Sequence, residues 1–370
     1  MSEDGARPAL TVSGHLFFFY AYEAGFEIDL EKARTLCEAS DAPGIARLRP
    51  SPPHLQYRPK PLAVPAGTVE ADAGGAPRRL DAAVKIFDFG ALSVTLALPV
   101  RDVPWDEYRA AALALSSGTG LERSARAAAE KVFDRILPAV SRPKLQDLVE
   151  EYSLWHVSEF SPPMTGTQAL ARLPQDIARL LTLEEGEFSD AAIAEILKNP
   201  IRYFDNDLFV ADWCASFAYD PKFQDTVEVL EFLNVQVLEL RFYDRLLHEA
   251  IDVTAEELRP RRRIYHILHD PYEKPLHKLS QIGTDVSLVR ERIYNSLTLF
   301  GDAYLARVYE EARRKVGAER HEGSVRDKLA VLTGIYTVLN DRAQASRTET
   351  LEMIIILLIA FEIVMGILKW

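Results

Sequence analysis

Residues 82–100, AAVKIFDFGALSVTLALPV, read as two apolar strands joined at Phe89 and Gly90, and the rest of the fold reading grows outward from that hairpin. Upstream, LTVSGHLFFFYAY is rich in aromatic and β-branched residues and predicts a strand over residues 10–22. IDLEKARTLCEAS follows as a helix near 29–40, with Asp29 in its first turn. Between this helix and the hairpin, residues 41–80 carry Pro43, Pro50, Pro52, Pro53, Pro59, Pro61, Pro65 and Pro77, a density that predicts a long surface loop. Downstream, residues 104–138 predict two helices that break at Gly118 to Gly120, and LQDLVEEYSLWHVSEF (145–160) returns to strand. The order strand, helix, strand, strand, helix, strand is the split βαβ pattern of a ferredoxin-like α+β layer. After a leader over 1–10, this α+β domain spans 11–220. It takes in connector helices near 167–182 and 189–198 and a hairpin over 200–219, where Asp205, Asn206 and Asp207 supply turn chemistry.

At Pro221 the period changes. Leu230, Leu233, Val237, Leu240, Asp244, Leu247 and Ile251 follow a 3-4 spacing that can run as one helix to Pro260. A return helix over about 276–316 follows from Ile282, Val286, Val289, Ile293, Leu297, Phe300, Tyr304 and Val308, and a third from Val325 to Leu339. Region 221–347 therefore reads as a helical hairpin, of coiled-coil type, plus a third helix. Asn234 sits one position off the apolar series and reads as a helix-register residue. Arg259, Arg261, Arg262 and Arg263 crowd the hairpin tip, a basic patch suited to lipid headgroups or RNA.

The last stretch, 351–370, is an apolar helix of a different kind. Met353, Ile354, Ile355, Ile356, Leu357, Leu358, Ile359, Phe361, Ile363, Val364, Ile367 and Leu368 surround a single acid, Glu362. A helix apolar all round must be buried in something. Insertion of about twenty residues into a bilayer balances at roughly −2 to −3 kcal/mol once the central acid is charged against it. The alternative is the core of an oligomer, and straight helices favour it, because the hairpin tip would reach roughly 15 to 20 Å past the start of the apolar run. Either way the segment is a transmembrane or assembly tail.

Composition excludes several classes. With 48% hydrophobic residues over 370 positions the chain is globular, and its net charge of −12 argues against broad nonspecific nucleic-acid binding. Cys37 and Cys214 form no metal-ligand spacing and suit a reducing compartment. The acidic start has neither the basic and apolar regions of a signal peptide nor the Arg-rich pattern of a transit peptide. No phosphate loop, nucleophile elbow or zincin motif occurs, and DFG at 88–90 lacks the companion kinase motifs. The one cluster of metal-ligand residue types is His266, His269 and Asp270, with His277 beyond, and it falls in or beside the hairpin loop, next to Pro271 and Pro275.

Three stretches together resemble one family. IFDFGALSVTL resembles the Gly-centred double strand of the "required for meiotic nuclear division" family, a domain-of-unknown-function family with bacterial members. NPIRYFDNDLFVADWCASFAYD followed by VLEFLNVQVLELRFYDRLL is similar to its hairpin and long helix, and RTETLEMIIILLIAFEIVMG to its C-terminal signature. The resemblance implies an α+β domain, a coiled-coil section and a C-terminal membrane segment, with eukaryotic relatives supporting translation at the mitochondrial inner membrane. It carries no agreed catalytic residues and no cofactor.

The expectation is a non-enzymatic, tail-anchored membrane scaffold or adaptor that homo-oligomerises through its helices and meets an unidentified protein partner. Without a transit peptide, its place is a bacterial inner membrane with the head in the cytoplasm, rather than a mitochondrial one. The alternatives are a metal-dependent hydrolase using His266, His269 and Asp270, and an RNA or ribosome-associated adaptor reaching through the arginines.

Overall fold

A computed structural model describes residues 10–37, 55–57, 59–257, 273–299 and 302–368. In chain order the first elements are β1 (Thr11–Glu23), β2 (Glu27–Ile28), α1 (Leu30–Cys37), β3 (Leu55–Tyr57), β4 (Leu62–Asp72), β5 (Pro77–Ile86), β6 (Ala91–Pro104), α2 (Trp105–Ser116) and α3 (Gly120–Ile136). Then come β7 (Val140–Ser141), β8 (Val149–Ser161), α4 (Gly166–Arg172), α5 (Pro174–Thr182), α6 (Asp190–Ile196), β9 (Leu208–Ala211) and β10 (Ala215–Tyr219). The helical part comprises α7 (Gln224–Glu257), α8 (Glu273–Ser296), the short strand β11 (Leu297–Leu299), α9 (Ala303–Lys315) and α10 (Ala318–Leu368). Two compact units result, one of Met1–Leu240 with Arg292–Arg320 and one of Arg241–Glu291 with His321–Trp370.

The first unit is α+β, as expected, but its sheet is larger than a simple ferredoxin-like layer. Seven strands run in the order β4-β5-β6-β1-β8-β10-β9, antiparallel except where β10 lies parallel to β8. The extra strands come from segments whose signals were weak or misleading. Pro65 pointed to a loop, yet β4 accommodates it at the sheet's edge, beside a register shift between Pro65 and Gly67. Edges and bulges are where a residue without an N–H donor costs little. At the opposite edge the β9–β10 hairpin is real, but it turns at Asp212–Cys214 rather than at Asp205–Asp207. Residues 202–207 instead fold Ile201 back to exchange two 2.8 Å backbone hydrogen bonds with Phe209, which caps the outer edge of β9.

β1 sits mid-sheet, between β6 and β8, and this explains why HLFFFYAY does not alternate. Leu16, Phe18, Tyr20 and Tyr22 face a core shared with Tyr108, Leu121, Ala125, Ile177 and Leu180 of α2, α3 and α5. Phe17 and Phe19 face the other way, against Leu230, Leu233 and Val237 of α7 and Leu305, Val308 and Ala312 of α9. A strand covered on both faces must be apolar at every position. On the first face Tyr108 donates to the His156 carbonyl at 3.1 Å and Trp155 to the Leu180 carbonyl at 2.6 Å, so these large rings bury their polar tips with partners.

In the second unit Val325, Leu332 and Leu339 of α10 are buried at seven-residue intervals, and Leu247 and Ala250 of α7 and Leu279 and Val286 of α8 are buried as well. Asp244 of α7 meets Lys328 at 2.8 Å and also accepts from Ser324, which ties α7 to α10. The return helix is not continuous. It stops at Ser296, and α9 starts afresh where the Asp302 carboxylate accepts from the Tyr304 and Leu305 amides at 2.9 and 3.0 Å.

Nor is the C-terminal run a separate apolar helix. NDRAQASRTET contains no Gly or Pro and several strong helix formers, so α10 passes through it without a break. Among the described residues no helix is long and apolar enough to cross a membrane. The apolar run whose side chains are described, Leu351–Ile367, rises ~25 Å, short of the ~30 Å hydrocarbon core. This corrects the expectation of a tail-anchored membrane scaffold with a transmembrane helix.

Candidate functional site

α7 presents the chain's most unusual chemistry. Residues 229–240 are buried all round, yet the helix carries Glu228, Glu231 and Glu239. Lys85 of β5, the only charge in AAVKIF, reaches Glu228 at 2.8 Å and Glu231 at 2.6 Å. Thr95 of β6 donates to the other oxygen of Glu231 at 3.0 Å. Burial works against the Lys85 ammonium, but the two carboxylates more than offset it and hold its pKa above the ordinary lysine range.

Two turns further along α7, Glu239 meets Glu23, the last residue of β1, and both are sealed from solvent. Beyond this contact, Glu23 Oε2 and both carboxyl oxygens of Glu239 have no hydrogen-bond partner. Burial, with the charge of Glu239 added, pushes the Glu23 carboxyl well above the usual range. Burial pushes Glu239 up to about 7, the contact with Glu23 pulling the other way. The turn Phe87–Gly90 lies beside Glu23. Gly90 has φ +110°, and a Cβ there would stand 1.9 Å from the Gly25 carbonyl oxygen and 3.4 Å from Glu23 Oε1.

Asn234 is buried, and its amide donates to the Glu150 carbonyl at 3.1 Å. The contact is to β8 of the same chain and fastens α7 to the sheet. His156, pushed down to about 3 by burial, keeps a neutral ring whose Nε2 lies 2.8 Å from the Asp220 carbonyl and which stacks 4.1 Å from Phe223. His15 stacks on the same Phe223 at 4.9 Å, and burial lowers its pKa too. These are packed core histidines. Among the described residues no group of three or more His, Cys, Asp or Glu could hold a metal.

His266, His269, Asp270, Arg259, Arg261, Arg262 and Arg263 lie outside the described residues, and His277 is exposed on α8. In the tail, Leu351–Ile367 are exposed throughout, thirteen of them large and apolar, from 43% exposure at Met365 to 71% at Ile367. Leu368 ends the helix. Glu23, Glu239 and Lys85 escaped the sequence reading. Their signal was a charge in an otherwise apolar strand, and glutamates recurring on one side of a helix with no exposed face.

A family model described as "Uncharacterized protein MJ0711, N-terminal domain" matches residues 13–226, more than half of the chain. The uncharacterized protein MJ0711 of Methanocaldococcus jannaschii is 27% identical over 250 residues, covering 65% of this chain and 73% of its own length. No solved structure matches.

Proposed function

Since the chain belongs to the MJ0711 N-terminal-domain family, whose description names no activity, we propose from its own chemistry that it assembles with copies of itself through the end of α10. One observation carries the proposal: a helical segment that is apolar on nearly every side and uncovered in the single chain. At 100° per residue, Glu352 and Glu362 fall about 80° apart, leaving an apolar arc of roughly 280°. A helix of that kind needs neighbours on several sides, and a symmetric cluster of the same segment supplies them while its acid edge stays wet. Covering thirteen half-exposed apolar side chains contributes on the order of 10 kcal/mol per chain at ~1 kcal/mol each, comparable to the ~4–15 kcal/mol cost of association.

The α+β unit then becomes the part displayed by the assembly. Its inner strands β5, β6, β1 and β8 we read as a split βαβ core enlarged at both edges. The resemblance to the "required for meiotic nuclear division" family belongs to the same proposal, and it carries no agreed catalytic residues.

Leu357 and Val364 face away from both acids, so Leu357→Asp with Val364→Asp in the full chain tests the reading. Sedimentation velocity across a concentration series is expected to show native oligomers and a monomeric double variant. A native chain that stays monomeric at tens of micromolar would overturn the proposal.

A further inference from the structure

The Glu23–Glu239 contact is arranged as no packing need requires. Two carboxyls meet in a sealed layer between β1, β6 and α7, and three of their four oxygens lack a partner other than each other. Nearby groups on each packed element leave them uncompensated. From β5 the facing charge is Lys85, already engaged by Glu228 and Glu231 of α7. From β6 the facing groups are Ser93 and Thr95; Thr95 is committed to Glu231, and Ser93, two positions along the same face and fully buried, has no partner for its hydroxyl. From β8 the backbone carbonyl of Glu150 is taken by Asn234. The Phe87–Gly90 turn contributes closely packed backbone, a Cβ at Gly90 standing 1.9 Å from the Gly25 carbonyl oxygen.

Two buried carboxylates in contact cannot both ionise without a cation, so protons must hold them together. We propose that Glu23 and Glu239 form a proton-holding couple through which acid pH locks α7 onto the sheet and alkaline pH loosens it. A bound cation would need further ligands, and among the described residues no third His, Cys, Asp or Glu joins the pair. Both carboxyls are raised in the folded state, so the fold holds more protons than the opened chain at every pH above the ordinary glutamate value of about 4.5. Stability of the α7 packing therefore falls as pH rises through that window. The loss from Glu239 levels off above its folded value of about 7, and Glu23, also raised, adds a loss of the same sign.

The test is amide hydrogen exchange over Gln224–Leu240 in the full chain from pH 5 to 9, corrected for intrinsic exchange, for the native protein, Glu239→Gln and Glu23→Gln. The native opening constant is expected to grow about tenfold between pH 6 and 8.5 from Glu239 alone, and Glu239→Gln to flatten the profile and protect α7 better at pH 8.5. A native profile flat across the range overturns the proposal, whether or not the variants fold. So does a Glu239→Gln profile as steep as the native one. Protection of the native chain at pH 8.5 by millimolar Mg²⁺ or Ca²⁺, absent in Glu239→Gln, would make the pair a cation site and equally overturn it.

Discussion

Replacing Lys85 by Met should unfasten α7 from the sheet at a single point. In the native chain the Lys85 ammonium bridges Glu228 and Glu231, and the Glu231 side chain is only 3% exposed. Methionine keeps the aliphatic volume and removes the cation, leaving Glu231 with a hydroxyl from Thr95 as its support. Removing one partner of a buried ion pair costs about 3–5 kcal/mol, because the remaining charge is left desolvated. The double change Lys85→Met with Glu231→Gln removes that stranded charge, and its deficit should shrink to roughly 1–2 kcal/mol. Lys85 titrates above the ordinary lysine range, so its contribution is complete at neutral pH and is lost only on the alkaline side. Urea unfolding followed by the fluorescence of buried Trp105 and Trp155 reads the first unit directly. A deficit below about 1 kcal/mol at pH 7.5, or one that the second change does not reduce, would refute the reasoning.

Gly90→Ala should cost about 3 kcal/mol or more in the same assay, since the new Cβ meets the Gly25 carbonyl at 1.9 Å in a left-handed backbone. Gly67→Ala, with φ +83° but open space around it, should cost only about 1 kcal/mol, so equal losses at the two sites would show that steric contact is not what matters at Gly90. Asn234→Ala removes the hydrogen bond to the Glu150 carbonyl and should cost roughly 0.5–1.5 kcal/mol in urea titrations, while no change would remove its role in seating α7.

The β1, β5–β6 and β8 strands and the helices from Trp105 to Ile136 were legible because turn residues and periodic apolar runs bracket them clearly. β4 was not, because local rules weigh Pro65 against a strand, whereas tertiary placement at an edge makes it harmless. The position of the β9–β10 turn was hidden by the strong turn chemistry of Asp205–Asp207. Asp207 in fact spends its carboxylate on the Tyr203 and Phe204 amides at 2.7 and 2.9 Å, shaping the loop before β9. At the site, Asn234 was visible as an irregularity in a pattern, but its partner is a β8 carbonyl far away in sequence. The pairing of Glu23 with Glu239 spans more than two hundred residues and leaves no local trace. Length misled at the tail, where counting Leu351 to Trp370 closed a gap that the described run, Leu351–Ile367, leaves open.

The central place of β1 also bears on how the chain comes off the ribosome. Its FFFYAY run emerges among the first described residues, but its neighbours β6 and β8 end only at Pro104 and Ser161. At ~5–20 residues per second, the second neighbour follows on the order of 10 s later, and α7 later still. For that interval the most apolar strand of the sheet has no partner on one side and no cover on one face. Nascent chains of this protein should therefore depend on trigger-type holding chaperones until β8 is complete, and ribosome-bound chains stalled just before Val149 are the ones expected to be captured most strongly.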